Sequence, residues 1–327
     1  MKKVALIFTG GTIAMKVNSK LQGAVPSVSP SELISTLSEV TEFDNLVAHE
    51  FSKLPSPSIT PEKMFELNKV IKTYLDDEEF AGVVVVHGTD TLEETAFYLD
   101  VVNVQSKPIV LTGSMKNASE LGYDGLTNLV SAIKVAMCED SINKGVLVVM
   151  NYEINAACEV TKTHTLNLDT FQSFEFGPLG IIDDDDVLYY RSTIIRKEYR
   201  LNNAFSDEVF LLKSYAGMNG ELIDYYVDKG AKGIVVEALG RGNVPTLMMD
   251  SIKNARNKGV EIIIVSRCYG GRVLDTYGYI GGGKDLVKNG CILGGNLSGP
   301  KARILLMIGL KNGMGHTDLI ALFDQKA

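Results

Sequence analysis

The chain has 327 residues, 45% hydrophobic and 22% charged, an ordinary globular balance with length enough for two domains. Forty acidic residues outnumber 32 basic ones, for a net charge of −8, and no Lys/Arg cluster interleaves with aromatics. That argues against nucleic acid as a partner, because binding it needs a basic face to displace phosphate counterions. No run approaches the roughly 18 apolar residues of a membrane span, so no membrane partner is expected.

At the N-terminus, Lys2 and Lys3 precede an apolar run, but Val4–Phe8 is only five residues long. A secretory signal needs an apolar core of about seven or more. The run reads instead as a buried strand of a cytoplasmic protein. Gly82–Val86, Pro108–Leu111 and Gly145–Met150 are similar β-branched runs, as parallel strands buried on both faces are. Between them, Glu62–Leu75, Leu92–Val102 and Leu126–Met137 carry apolar residues at helical spacing, and Thr60-Pro61 is a helix start with a capping threonine. Strand–helix–strand repetition implies an α/β fold: a doubly wound, mostly parallel sheet in a large N-terminal domain.

Past residue 180 the alternation stops. Asp183–Asp186 lacks the spacing of an EF-hand loop and reads as a solvated turn rather than a Ca²⁺ site. The polar stretch 191–208 reads as a linker between a domain at 1–190 and one at 209–327. In the latter, Val209–Lys213, Gly233–Leu239 and Val260–Val265 alternate with helix-like Leu222–Asp228 and Pro245–Asn257, a second, smaller α/β domain. The four cysteines, Cys138, Cys158, Cys268 and Cys291, include no C-x-x-C pair. They read as reduced thiols, with no disulfide framework and no metal site.

Two segments at strand ends carry candidate chemistry. Thr9-Gly10-Gly11-Thr12-Ile13-Ala14 follows the first strand, where open α/β sheets bind ligands. Paired glycines let the backbone turn sharply and present amide N–H groups. A tight βα turn and a dinucleotide loop are the other readings, although the spacing is not G-x-G-x-x-G. The second segment, His87-Gly88-Thr89-Asp90-Thr91-Leu92-Glu93-Glu94-Thr95, follows Val83–Val86 and opens a helix. Thr91 with Glu94 fits a capping box. Thr89 lies where amide donors can hold an oxyanion. A threonine nucleophile needs a base, and Lys162 in Val160-Thr161-Lys162-Thr163-His164 is a candidate, because a desolvated lysine can accept a proton.

Together, TGGTIA at 9–14, HGTDTLEETA at 87–96 and VTKT at 160–163 resemble the bacterial-type L-asparaginase family. GVLVVMN at 145–151, FGPLG at 176–180 and PKAR at 300–303 match as well, in order along essentially the whole chain. The resemblance implies hydrolysis of L-asparagine to L-aspartate and ammonia, without metal or cofactor. It also implies a homotetramer of intimate dimers, in which the smaller domain completes a neighbour's site. Thr12 matches the primary nucleophile, and Thr89, Asp90 and Lys162 the second cluster, in which Lys162 polarises Thr89 and Asp90 grips the substrate's α-amino group. Gly11 and Gly88 belong to the segments expected to supply the oxyanion hole. Ser56 matches a serine on the substrate carboxylate, Ser114 the floor beneath the amide, and Asn243 an asparagine given across the dimer.

Two departures stand out. The family's loop tyrosine, bonded to the nucleophile, is replaced by Ala24, and Tyr277 and Tyr279 are candidates to supply its role. Pro57 stands where several relatives have a glutamine on the substrate. The alternatives are a glutaminase-asparaginase of broader specificity, the amidase subunit of an amidotransferase, and a catalytically inactive asparagine-binding homologue.

Overall fold

In a computed structural model, the five-residue run near the N-terminus is an inner strand of a sheet, paired on one side with the edge strand. The structure describes residues 2–11, 13, 15–18, 23–26, 29–40, 43, 45–103, 106–193, 205 and 208–324. The chain divides into two compact units, Met1–Arg200 and Leu201–Ala327.

The first unit opens with β1 (Lys3–Phe8), a hairpin of β2 (Met15–Asn18) and β3 (Gly23–Pro26), α1 (Pro30–Val40) and β4 (Leu46–Glu50). Then come α2 (Pro61–Leu75), β5 (Phe80–Val86), α3 (Leu92–Val102), β6 (Ile109–Thr112), α4 (Gly125–Met137) and β7 (Val146–Met150). Five short strands follow: β8 (Glu153–Ala156), β9 (Thr161–Lys162), β10 (Phe171–Gln172), β11 (Gly180–Asp183) and β12 (Asp186–Tyr189). The main sheet runs β12-β11-β8-β7-β6-β5-β1-β4. It is parallel from β4 to β7 and antiparallel from β7 to β12. From β1 the chain steps to β4 on one side and returns to β5 on the other, so the switch point lies between the carboxyl ends of β1 and β5.

Alternate strand residues divide the helices between the two faces, as period-2 geometry requires. Val4, Leu6, Phe8, Val84, Val86, Val110, Leu147 and Val149 share one core with Leu33 and Leu37 of α1 and Leu129, Ala132 and Ile133 of α4. The strand residues between them are also buried, on the face where α2 packs on β5 and α3 on β6 and β7. This is a doubly wound sheet with one irregularity. α3 and α4 join successive parallel strands stepping in the same direction, yet lie on opposite faces. The crossovers through α1, α2 and α3 therefore share one hand, and β6–α4–β7 has the other. Since such crossovers are right-handed in about 98% of cases, the odd one is left-handed.

The second unit contains β13 (Val209–Lys213), α5 (Glu221–Asp228), β14 (Gly233–Ala238), α6 (Met249–Asn257), β15 (Glu261–Ser266) and α7 (Gly283–Lys288). It ends with β16 (Ile292–Leu293), α8 (Gly299–Lys311) and α9 (His316–Phe323). Its four strands form a parallel sheet in sequence order. Ile223 of α5 and Ile252 of α6 share a core with Ile234, Val236, Ile262 and Ile264.

Local signals in the sequence meet their structure in different ways. Thr60 caps α2, its hydroxyl accepting from Lys63 N. The capping box expected at Thr91 is absent: Thr91 precedes α3 but makes no side-chain cap bond. Its hydroxyl donates instead to Ser56 O at 2.7 Å, a tertiary bond that turns the side chain away from the helix amides. The four aspartates are the turn between β11 and β12, with Asp184 at φ +53° and Lys134 Nζ bonded to Asp184 O and Asp185 Oδ1. Among the described residues no group of three or more His, Cys, Asp or Glu could hold a metal, and no helix is long and apolar enough to cross a membrane. Cys138, Cys268 and Cys291 are free thiols, and burial pushes the Cys291 thiol up to about 12. Most of the stretch read as a linker, 194–204 and 206–207, lies outside the described residues.

Leu6, at 0% exposure in β1, tests this core. Leu6→Ala should destabilise the first unit by about 2–5 kcal/mol, read as a lower urea midpoint at unchanged m-value. Leu121→Ala, at a fully open position, should move it by less than about 0.5 kcal/mol.

Candidate active site

The two strand ends at the switch point meet backbone to backbone. Thr9 closes the β1–β5 ladder by donating its amide and its hydroxyl to Val86 O, at 3.0 and 3.1 Å. Gly10 and Gly11 follow with φ of +113° and +93°, a region that L side chains rarely enter. A Cβ on Gly10 would stand 2.3 Å from Leu54 O, and one on Gly11 only 2.5 Å from Gly88 Cα. A Cβ on Gly88 would in turn come within 2.9 Å of Ser56 Oγ. Ser56, 4% exposed, opens the 3₁₀ turn Ser56–Ser58 and is held there by Thr91. Gly88 thus lies against both Gly11 and Ser56.

Thr12 lies outside the described residues, and Ala24 is placed only by its backbone in β3. The residues on either side of Thr12 are fixed: Gly11 rests on Gly88, and Ile13 is fully buried. Tyr123 Oη donates to the Ile13 carbonyl at 2.8 Å. Burial, followed by the charge of Asp124, pushes the Tyr123 phenol up from its ordinary value, so it stays a donor at neutral pH.

Thr89 is 6% exposed, at the end of β5. Lys162 Nζ lies 3.0 Å from Thr89 Oγ1 and 2.8 Å from Asp90 Oδ1. Lys162 comes from β9, an element two residues long, and its amide donates to Glu93 Oε2 at 3.2 Å. The first turn of α3 thereby fastens the strand that carries the lysine. The lysine side chain is 17% exposed and that of Asp90 65%, so a largely desolvated cation is held between a buried hydroxyl and a carboxylate open to solvent. Behind them, His87 is fully buried, with Nδ1 at 2.7 Å from Gly88 O and Nε2 at 3.0 Å from Thr95 Oγ1.

Ser114 lies on the next strand end, and a Cβ on Gly113 would come 3.3 Å from Thr89 Cγ2. The Ser114 hydroxyl is turned into its own loop, towards Lys116 O and Asp124 Oδ1. Asp124 also accepts from the amides of Met115 and Lys116, each at 3.0 Å. Asn128 bonds to Asp124 Oδ2 and Gly113 O. The first turn of α4 therefore holds the loop after β6 as well as the Ile13 peptide.

The first unit thus brings Gly11, Ser56, Gly88, Thr89, Asp90 and Lys162 together, with Ser114 on the adjoining loop. Asn243, Tyr277 and Tyr279 belong to the second unit. Asn243 Oδ1 accepts from Gly283 N at 3.3 Å. Tyr277 and Tyr279 are 45% and 55% exposed, their ring centroids 5.8 Å apart. Sequence reading missed Tyr123, Asp124, Asn128 and the supporting roles of His87, Thr95 and Glu93. The spacing Asp124-x₃-Asn128 at a helix start is the one local signal that could have drawn notice.

A hydroxyl, an amine and a carboxylate in hydrogen-bond contact at a switch point are suited to acyl transfer. Known proteins agree. Residues 3–195 match the family described as asparaginase, N-terminal, and residues 208–323 that of the glutaminase/asparaginase C-terminal domain. An L-asparaginase of Bacillus licheniformis is 40% identical over 309 residues, covering 94% of this chain and 95% of that one. A glutaminase-asparaginase of Pseudomonas aeruginosa is 30% identical over 334 residues, covering 99% and 90%. The crystal structure of a probable cytoplasmic L-asparaginase from Campylobacter jejuni matches with a TM-score of 0.88 at 31% identity, covering 99% of both chains. Fold and site define a two-unit α/β hydrolase. The chain belongs to the asparaginase family.

Burial lowers the His87 pKa to about 4, against a smaller opposing effect of the Gly88 bond. The unfolded chain, with an ordinary histidine, binds this proton between about pH 6.5 and 4, while the folded chain does not. Stability should therefore fall as pH drops through that window and level off below it, by roughly 3 kcal/mol from this group. Urea unfolding of wild type and His87→Gln between pH 7 and 4.5 checks this. The wild type should show the steeper decline.

Proposed function

We propose that the protein hydrolyses the side-chain amide of L-asparagine to L-aspartate and ammonia, with Thr12 as primary nucleophile and Thr89, Lys162 and Asp90 as the second reactive cluster. The observation that carries this reading is Lys162 Nζ, in hydrogen-bond contact with both Thr89 Oγ1 and Asp90 Oδ1, beside the backbone contact between Gly11 and Gly88. Thr12 follows Gly11 directly in the chain, so both hydroxyls belong to one switch point.

In the first step the Thr12 oxygen bonds to the amide carbon. The carbonyl electrons move onto oxygen, where amides of the Gly11 and Thr89 segments stabilise the oxyanion. As this collapses, the C–N bond breaks and the hydroxyl proton leaves with ammonia. Water then attacks the acyl-threonine, the C–O bond breaks, and aspartate and the free hydroxyl result. Lys162 polarises the Thr89 hydroxyl, 3.0 Å from its Nζ, with Asp90 2.8 Å away on its other side. The reaction consumes only water and requires no cofactor. Asp90 also supplies the charge for the substrate's α-amino group, and Ser56 and Ser114 line the carboxylate and amide positions.

The same reading assigns 1–190 to the domain with the nucleophiles, 191–208 to a linker and 209–327 to the domain that lends Asn243, and Tyr277 or Tyr279 as activator, to a neighbour's site. It implies a homotetramer of intimate dimers in the cytoplasm. The neighbour of known structure from Campylobacter jejuni is named a probable cytoplasmic L-asparaginase, which supports this location. Sedimentation velocity and cell fractionation test these two points.

Thr12→Ala and Thr89→Ala should each lower ammonia release from L-asparagine by about a thousandfold or more, and Lys162→Met by about 10²–10⁴-fold. A fully active Thr12→Ala or Thr89→Ala variant sinks the assignment. One methylene separates asparagine from glutamine, worth about 1–3 kcal/mol in a simple pocket. A kcat/KM ratio for the two amides above about tenfold marks an asparaginase, and a smaller one the broader enzyme. Asparagine binding without ammonia release would identify an inactive homologue.

A further inference from the structure

His87 borders the reactive cluster but takes no part in the chemistry proposed above. Its ring is completely enclosed, and both nitrogens have partners: Gly88 O at 2.7 Å from Nδ1 and Thr95 Oγ1 at 3.0 Å from Nε2. A carbonyl oxygen only accepts, so Nδ1 must carry a hydrogen. Burial keeps the ring neutral at working pH, so Nε2 is bare and accepts from the Thr95 hydroxyl. The Gly88 carbonyl therefore selects the tautomer, and the Thr95 hydroxyl fits it as a donor. The backbone beneath is equally fixed: His87 N donates to Thr112 O at 2.8 Å, and a Cβ on Gly113 would come 2.5 Å from His87 O.

The consequence follows from the planar trans peptide, in which C=O and N–H point in opposite directions. With the Gly88 carbonyl held against the imidazole, the Thr89 N–H is directed away from the core. Among the described residues nothing accepts from that amide. The Thr89 hydroxyl rides on the same peptide, within 3.0 Å of Lys162 Nζ.

We propose that His87, as its Nδ1–H tautomer locked by Thr95, is a positioning residue that sets the Gly88–Thr89 peptide, aiming the Thr89 amide at the developing oxyanion and its hydroxyl at Lys162. This rests on the assignment of Thr89 to the reactive cluster. It gives a buried histidine a function in amide hydrolysis that involves neither proton transfer nor contact with substrate.

The test exploits the geometry of the two amide side chains. Asparagine places its Nδ2 donor where Nδ1 stood, whereas glutamine places its amide near Nε2. His87→Asn should keep kcat for L-asparagine within about threefold of wild type, by conserving the donor to Gly88. His87→Gln and His87→Leu should lose kcat by about tenfold or more, with KM within about twofold, the signature of a contact made only in the transition state. Stability should rank the other way, with Gln above Asn, because only glutamine reaches Thr95. A merely structural histidine would make activity follow stability, and that ranking overturns the proposal. ¹⁵N NMR of the wild type at pH 7 supplies a readout independent of folding. A protonated Nδ1 and bare Nε2 are expected, and the opposite tautomer or an imidazolium overturns it. A dead Thr89→Ala beside fully active His87→Gln and His87→Leu removes this inference alone. A fully active Thr89→Ala removes the parent assignment and this inference with it.

Discussion

Two polypeptide backbones touch at the switch point with no side chain between them, and the site is arranged around that contact. Gly11 can rest on Gly88 only because neither residue carries a Cβ; an alanine at 11 would have to hold φ near +93° with its methyl 2.5 Å from Gly88 Cα. The contact joins the ends of β1 and β5, two strands already paired along their length. It brings the segments before Thr12 and Thr89 together and leaves Ser56 packed on Gly88 from the third side. Register in the sheet thus becomes register between reactive groups, a more rigid basis than loops would offer.

The charge arrangement depends on the same compactness. An ammonium taken largely out of water is unfavourable by several kcal/mol unless paired. Lys162 meets that requirement with Asp90, and uses its remaining reach on a hydroxyl that is itself buried. Asp90 remains open to solvent on its outer side, where it can meet a cationic ligand group. Glu93 contributes through the main chain, by accepting from the lysine's own amide. A strand of two residues has few ladder bonds to hold it, so this tie from a neighbouring helix sets where Nζ sits.

β1, β5, β6 and β7 were legible because burial on both faces leaves uninterrupted apolar runs, whereas the half-exposed edge strand β4 was not. β8 to β12 were not, being two to four residues long, and β12 alternates between exposed and half-buried positions. Thr89, Asp90 and Lys162 could be found because they meet through their side-chain functional groups, and motifs record side chains. Tyr123, Asn128, His87 and Glu93 could not, because each acts on a backbone atom: the carbonyls of Ile13, Gly113 and Gly88, and the amide of Lys162. Backbone atoms are the same in every residue and leave no imprint on a sequence. Thr91 shows the opposite failure, in which a good local signal lost its hydroxyl to a tertiary partner 35 residues away.

The left-handed crossover through α4 has a consequence for how the protein is made. By lying on the α1 side of the sheet, α4 brings Tyr123 to the Ile13 carbonyl, a bond spanning 110 residues of chain. At ordinary synthesis speeds of about 5–20 residues per second, the turn after β1 emerges on the order of ten seconds before the helix start that secures it. A nascent chain can therefore pair its early strands well before that turn is fastened. Fastening of that turn is tied to completion of β6–α4–β7, so a growing polypeptide carries the Ile13 carbonyl without its tyrosine partner through the first part of its synthesis.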